Sequence, residues 1–259
     1  MDTNFHQEIF LKYTLLHRER TLELLVQQQA HLMNQIKSVL LPGSFFEEDY
    51  VNKTKYLLSN EIDTIYLFDH SINPVSRNLS MYNLIDGVVK LNHIVKGEKN
   101  LGVCVLNVNA RQFSTLFNNY IYDFLEIKNF KLGIGSGDNK YETRNNYSNN
   151  FEEVINDIKS NKNFKKNNVQ LFVGGNSKEK IDLVLKYSLG INQWLGTIED
   201  FQSKSSHYKQ IKNPVGELSI CLRRNHFENL DNDIFYEKIF IVKDSNTEIF
   251  YKTIDNILK

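Results

Sequence analysis

The sequence predicts an α/β (α+β) fold in which helices pack on a sheet, with a long helix before this layer and a small helical region after it. Between residues 64 and 175, apolar strand-like runs alternate with segments of helical apolar spacing. Such alternation is typical of helices that pack on a sheet. The 259 residues are 41% apolar and 24% charged, which is the composition of an ordinary globular chain.

The first 41 residues are predicted to form one long amphipathic helix. Residues 5–41 contain neither glycine nor proline, and Pro42-Gly43 is a natural helix end. Steps of four and three residues give a heptad seam made of Leu11, Leu15, Arg18, Leu22, Leu25, Gln29, Leu32, Ile36 and Val39. This seam predicts a coiled coil through which two chains form a homodimer. Further apolar residues beside the seam fit a helix packed on its own domain equally well.

Residues 50–175 are predicted to form the α/β domain, and residues 176–259 a helical, helix-turn-helix-like region. The strands of the domain are expected at residues 64–68, 101–108, 130–134 and 169–173, and its helices at 51–59, 81–95, 113–125 and 151–159. The later region is expected to hold helices at 177–194, 205–211 and 215–227, then a strand at 237–242 and a helix from Thr247.

Two strand ends carry candidate ligand-binding residues. Asp69 lies at the end of the first predicted strand. A carboxylate at such a position either binds a metal or a nucleotide or caps the following turn. A later strand runs into Gly133, Gly135 and Gly137, which resemble a phosphate loop. The motif lacks the spacing of a dinucleotide fingerprint and the Lys-Ser/Thr of a P-loop, and glycines also permit close packing. These four residues are the possible nucleotide-binding residues. Two-metal chemistry requires a second carboxylate, and residues 107–112 contain none.

Other candidate sites are weaker. Gly174-Gly175 precedes Asn-Ser and a predicted helix, whose first backbone amides can face an anion. The seven histidines show no metal-ligand spacing. Cys104 and Cys221 lie in apolar runs and are interpreted as small buried side chains rather than a disulfide or a metal pair. The sequence therefore predicts no catalytic residue, no metal and no cofactor, and it favours a protein that is not an enzyme.

Residues 203–226 are locally basic, although 31 basic and 31 acidic residues give the whole chain a net charge of zero. In a helix at 215–227, Ser219, Arg223 and Arg224 would face outward, which suits a helix that reads the major groove of DNA. Lys209 and Lys212 would then contact phosphates. An ordinary solvated basic helix fits the same pattern.

The segments that would direct the chain to a membrane are not apparent. The first residues do not resemble a signal peptide, and no apolar run reaches the roughly 18 residues of a membrane span. A cytoplasmic protein without a membrane partner is expected.

The order of three segments resembles the SatD family, which joins a nucleotide-cyclase-like α/β domain to a C-terminal helix-turn-helix. The segments are residues 110–116 (Ala-Arg-Gln-Phe-Ser-Thr-Leu), residues 131–137 (Lys-Leu-Gly-Ile-Gly-Ser-Gly), and the run from Ile181 to Trp194 followed by residues 215–224. The resemblance implies a cyclase-like, palm-type sheet. Arg111 and Gln112 stand where the family has acids, which implies a core without its metal site.

Together these features predict a dimeric DNA-binding regulator with a catalytically inactive cyclase-like core. Two alternatives remain from the sequence. One is a protein-interaction or assembly protein that does not bind DNA. The other is an enzyme that binds a nucleotide through Asp69 and the glycine loop.

Overall fold

The chain folds into a closed barrel of eight parallel strands. This computed structural model describes residues 36–143, 147–175, 177–223 and 236–258. The strands are β1 (Lys37–Leu40), β2 (Thr64–Leu67), β3 (Asn100–Asn107), β4 (Lys131–Gly135), β5 (Gln170–Gly174), β6 (Gly190–Trp194), β7 (Leu218–Leu222) and β8 (Glu237–Ile241). Each strand pairs with the next along the chain, and β8 closes the barrel by pairing with β1.

Helices connect the strands, because parallel neighbours require a crossover at each step. They are α1 (Tyr50–Leu58), α2 (Leu84–Val95), α3 (113–125), α4 (Phe151–Ser160), α5 (Lys162–Lys166), α6 (Lys178–Tyr187), α7 (Ile198–Tyr208) and α8 (Thr247–Leu258). Within α3, a π-helical turn at Phe117–Ile121 joins the segments Phe113–Leu116 and Tyr122–Leu125. Side-chain oxygens cap the first turns of α2 and of α4 to α7, from Asn83, Asn150, Asn161, Ser177 and Thr197.

The palm-type sheet implied by the resemblance is wrong, because three strands occupy segments that the sequence pattern assigned to helices. β1 lies within residues 5–41, β6 within 177–194, and β7 within 215–227. In the second case the helix ends at Tyr187, and Ser188 adopts a left-handed conformation with a φ of 54° before the strand begins. Strands buried on both faces do not show a two-residue alternation, so short ones are easily read as helical.

Other expectations agree with the structure. The strands expected at 64–68, 101–108, 130–134, 169–173 and 237–242 correspond to β2, β3, β4, β5 and β8. Strands from both of the expected segments, 50–175 and 176–259, contribute to the one barrel. Residues 1–35 of the expected N-terminal helix lie outside the described residues, so dimerisation through it stays a prediction. Within the described ranges, no helix is both long and apolar enough to cross a membrane.

Large aromatic side chains fill the barrel interior opposite glycines. Tyr66 and Phe172 are almost completely buried inside the barrel. A Cβ on Gly102 would lie 2.4 Å from the Tyr66 ring, and one on Gly133 would lie 2.4 Å from the Phe172 ring. These glycines therefore provide the room that the rings occupy, since interiors are packed without spare volume.

A buried network of charged groups closes the amino-terminal end of the barrel interior. The Nζ atom of Lys131 lies 3.1 Å from Asp63, 2.9 Å from Glu217 and 3.3 Å from Glu237. Glu237 also accepts hydrogen bonds from the hydroxyls of Tyr66 and Ser38. Burial lowers the pKa of Lys131, but the three carboxylates outweigh it and leave that pKa above its ordinary value.

The Glu237 carboxyl makes stability depend on pH. Burial raises its pKa to about 7, against the opposing charge of Lys131. Because the folded state then holds this proton more tightly than the unfolded state, its contribution to stability is fully present below the ordinary pKa of a glutamate. It is lost as the pH rises through about 7. We expect the free energy of unfolding of the wild-type protein to fall over this range more steeply than that of Glu237→Gln, measured by urea denaturation. Parallel curves for the two proteins would contradict this assignment.

Candidate active site at the carboxyl-terminal mouth of the barrel

The carboxyl ends of the strands form the mouth of the barrel. The loop after β2 (68–83) contacts the first described part of the loop after β4 (136–143), and the second part (147–150) contacts the segment after β3. Ile72 N donates to the carbonyl of Tyr141, and the Ser71 hydroxyl accepts from Thr143 N at 2.7 Å. Asn149 Nδ2 donates to the carbonyl of Val108, just beyond β3. In barrels of this type, ligands bind at this end because the loops there present side chains from several strands.

A histidine and a glutamate join these two loops. His70 Nδ1 lies 2.8 Å from Glu142 Oε1, and the glutamate side chain is almost completely buried. The imidazole ring lies between the rings of Phe68 and Tyr141. Because an ionised carboxylate only accepts hydrogen bonds, it fixes the proton on Nδ1. In the described part of the chain, Nε2 has no hydrogen-bond partner, so it is the nitrogen available to a ligand.

Asp69, a possible nucleotide-binding residue, is held by neighbouring groups of the protein. Its carboxylate accepts hydrogen bonds from both terminal nitrogens of Arg111, at 2.7 and 2.9 Å, and from the backbone amide of Asn107 at 2.9 Å. The Arg111 guanidinium also lies 4.0 Å from the centroid of the Tyr120 ring. This buried ion pair ties the end of β2 to the segment after β3. In this geometry Asp69 fixes the backbone after β3, and its role in ligand binding stays a prediction.

Two lysines contact the carboxyl-terminal parts of β4 and β6. Lys180, in the first turn of α6, donates to Ser136 Oγ just beyond β4 at 2.9 Å. Lys204, on α7, donates to the carbonyl of Asn192 in β6 at 2.7 Å. Helical side chains tilt toward the amino end of their helix, which directs both lysines back toward the mouth. Within the described ranges, neither ammonium forms an ion pair with a carboxylate.

The surroundings of these lysines disfavour their positive charge. Burial is the largest effect and lowers the pKa of Lys204 to about 8, while Cys221 and Asp200 act in the opposite direction and the charge of Lys180 adds a smaller lowering. Burial also lowers the pKa of Lys180. Lys204 is only 4% exposed. Two partly desolvated ammonium groups at neighbouring strand ends produce a local positive potential in a chain of zero net charge.

The end of β5 leaves room for these lysines. Gly175 has a φ of 113°, and a Cβ there would lie 2.8 Å from Lys180 Nζ. Any other residue at this position would be strained and would displace the ammonium. The anion-binding segment suggested by Gly174-Gly175 thus lies beside two cations that the sequence pattern did not connect with it.

The other possible nucleotide-binding residues are the glycines of β4. Gly133 accommodates Phe172, and a Cβ on Gly135 would lie 2.5 Å from Val105. Gly137, just beyond the strand, has a φ of 74° and lies against the side chain of Asn107. The structure therefore places Gly133 and Gly135 within the barrel wall, where they permit packing, and Gly137 in the loop over β3.

The residues predicted to bind DNA do not lie together. Lys209 and Lys212 are exposed between the end of α7 and β7, at the amino-terminal end of the barrel. Arg223 follows β7 at the opposite end, and Arg224 lies outside the described residues. Ser219 is 2% exposed inside the barrel, where its hydroxyl accepts from Asn192 Nδ2. Since the expected recognition helix is strand β7, no helix presents these side chains to a groove of DNA.

The two cysteines are buried, as their apolar sequence context indicates. They lie on β3 and β7, and their Sγ atoms are 3.7 Å apart inside the barrel. Cys221 also lies close to the amide of Asn192. The hydrogen bond to Cys221, together with burial, raises the pKa of the Cys104 thiol well above its ordinary value, which keeps it protonated.

Comparisons with solved structures show the same barrel in several enzymes. An F420-dependent secondary alcohol dehydrogenase in complex with an F420-acetone adduct aligns with a TM-score of 0.54 and 12% identity, over 86% of this chain and 83% of that one. A coenzyme F420-dependent tetrahydromethanopterin reductase from Methanopyrus kandleri has a TM-score of 0.52 and 10% identity, over 73% and 67%. A tryptophan synthase alpha chain from Legionella pneumophila has a TM-score of 0.52 and 12% identity, over 92% and 93%.

No protein-family profile and no curated protein matches the chain. At these identities the structural similarity establishes the fold alone. That fold overturns the resemblance to the SatD family, because a closed barrel replaces the cyclase-like sheet and the helix-turn-helix. The predicted DNA-binding regulator and the nucleotide-binding enzyme on a cyclase-like core lose their structural basis with it. The helix on which the assembly alternative depends lies outside the described residues.

Sequence reasoning missed most of the residues that the mouth brings together. His70 was visible only as the residue after Asp69, and its partner Glu142 lies 72 positions later. Lys204 entered the sequence analysis only as one member of the locally basic segment 203–226, because a lysine on a helix is ordinarily solvated. Its position three residues after Phe201, on the buried face of α7, was a further clue.

Removal of Arg111 should test the ion pair at the mouth. Arg111→Met leaves the buried Asp69 carboxylate without its cation, and we expect the free energy of unfolding to fall by about 3–5 kcal/mol. Lys252→Met is the control, because Lys252 and Glu248 form an exposed pair whose loss should change stability little. Urea denaturation of the two variants measures the difference. Equal, small effects would show that the Arg111 pair does not stabilise the fold.

Proposed function

We propose that the chain is an enzyme that binds a small molecule carrying a phosphate-like anionic group at the carboxyl-terminal mouth of its barrel. The observation that carries this proposal is the pair Lys180 and Lys204, held at the ends of β4 to β6 without a carboxylate partner in the described part of the chain. The similarity to barrel enzymes supports the general class.

Electrostatics favour an anion at this position. A buried charge without a counter-charge is unfavourable, and its pKa shifts toward the neutral form, as that of Lys204 does. A bound phosphate or carboxylate would supply the missing negative charge and accept the remaining ammonium hydrogens. The absence of a side chain at Gly175 leaves the space that Lys180 Nζ occupies, and the first amides of α6 add a favourable dipole.

The chemistry proposed for the mouth is a proton transfer by His70. Glu142 holds the imidazole in one orientation, with Nε2 available to a substrate. An imidazole so oriented serves as a general base and then as a general acid. His70 and the lysines are connected through one segment, because the loop after β4 carries both Ser136 and Glu142.

A flavin-type cofactor with an anionic tail is the first ligand to test. Two of the similar structures are named as F420-dependent enzymes. The residues present fit the anionic part of such a group, since a Cβ on Gly175 would fill the space beside Lys180 Nζ. When bound, a flavin-type group accepts or donates a hydride. The chain itself would bind the anion through Lys180 and Lys204 and would exchange a proton at His70.

Binding of riboflavin 5′-phosphate and of coenzyme F420, measured by isothermal titration calorimetry, tests the anion site. Whichever of the two ligands binds the wild-type protein, we expect Lys180→Met to lower its affinity by at least about tenfold, because a charged hydrogen bond is lost. Lys186→Met is the matched control, since Lys186 lies exposed on the same helix and pairs with Glu152. The proposal would be overturned if the two variants bound with equal affinity. It would also be overturned if the wild-type protein bound neither these ligands nor inorganic phosphate.

The pH dependence of binding tests Lys204 separately. Burial lowers its pKa to about 8, so the ammonium loses its proton as the pH rises through that value. Only the protonated form attracts an anion, and we therefore expect affinity for riboflavin 5′-phosphate to fall through about pH 8. In Lys204→Met the affinity should be lower and should not fall over this range. A wild-type affinity that is constant through pH 8 would contradict the role of Lys204.

A further inference from the structure

We infer that Trp194 is a stacking platform for a planar aromatic ring, so the ligand of the mouth is an aromatic molecule with an anionic tail. This inference rests on the proposed function, because it names the class of molecule that the lysine site accepts. It depends on three observations, namely the direction of Trp194, its exposure, and its position relative to the two lysines.

The strand register directs Trp194 toward the inside of the barrel. Trp194 is paired with Cys221 on β7, and Asn192 is paired with Ser219. Paired residues of neighbouring parallel strands share a face of the sheet. Asn192 contacts Ser219 and Cys221 inside the barrel, so Trp194, two residues after Asn192, lies on the same interior face one level nearer the mouth.

The side chain of Trp194 is far more exposed to solvent than the large aromatic side chains deeper inside the barrel. Trp194 is 50% exposed, whereas the interior rings of Tyr66 and Phe172 are at most 3% exposed. None of the ring contacts among the described residues involves its indole. The ring thus has one side available at the mouth, where a planar ligand gains both apolar burial and an aromatic contact.

The same strand ends carry the positive charge. Lys204 binds the carbonyl of Asn192, two residues before Trp194 on β6. Lys180 lies beside Gly175 at the end of β5, and β5 pairs with β6. A ring on Trp194 and an anion at the lysines would therefore belong to one molecule bound across adjacent strands. Neither a purely apolar ligand nor a bare anion would use both features.

Trp194 is the single tryptophan of the chain, which makes the contact directly measurable. Acrylamide should quench the fluorescence of the free protein, because half of the indole is exposed. Saturation with riboflavin 5′-phosphate should lower the quenching constant, whereas saturation with inorganic phosphate should leave it unchanged. An unchanged constant with riboflavin 5′-phosphate bound would overturn the inference.

Variants separate the ring contact from the anion site. We expect Trp194→Ala to weaken binding of riboflavin 5′-phosphate by about tenfold and Trp194→Phe by clearly less, because phenylalanine retains stacking. Affinity for inorganic phosphate should be unchanged in both, which also shows that the variants are folded. Val89→Ala is the control, because Val89 is an exposed apolar residue on α2.

The outcomes distinguish this inference from the proposed function. If Trp194→Ala binds riboflavin 5′-phosphate as tightly as the wild-type protein, the platform is wrong and the lysine site stands. If Trp194→Ala loses affinity for inorganic phosphate equally, Trp194 supports the site rather than contacting the ring, and the inference fails. If the wild-type protein binds neither ligand, the proposed function fails and the inference with it.

Discussion

The narrow interior of the closed barrel is the constraint on which the rest of the structure depends. Eight strands enclose just enough space for their inward side chains. Tyr66 and Phe172 occupy the middle of this space, and they fit because Gly102 and Gly133 face them. Since the centre is filled, ligands have access only at the ends. One end is closed by the Lys131 network, which leaves the carboxyl-terminal mouth as the place where groups of the chain can meet a ligand.

The two ends of the barrel use charge in opposite ways. At the amino-terminal end, Lys131 is surrounded by three carboxylates and its charge is fully compensated. At the mouth, Lys180 and Lys204 donate to a hydroxyl and a carbonyl, and neither forms an ion pair with a carboxylate within the described ranges. A buried lysine that lacks an ion-pair partner costs stability unless a ligand supplies the counter-charge. This contrast, more than the fold, supports the proposal that the mouth binds the ligand.

The sequence predicts β2, β3, β4, β5 and β8, but it fails at β1, β6 and β7. β2 and β5 are recognisable from their apolar runs, while β6 and β7 carry Asn192 and Ser219, which hydrogen-bond to each other in the interior. That pairing exists only after the barrel closes, so no local pattern reveals it. The same reason hides the site. Gly174-Gly175 suggests an anion, but the lysines beside it come from two helices, and His70 meets Glu142 only through loop contacts.

A crystal structure of the protein with riboflavin 5′-phosphate would show whether the two lysines of the mouth bind the anion. We expect the phosphate within hydrogen-bond distance of Lys180 Nζ and Lys204 Nζ at the ends of β5 and β6, with His70 facing the same mouth. Phosphate density elsewhere, with both lysines keeping only their contacts to Ser136 and Asn192, would contradict it.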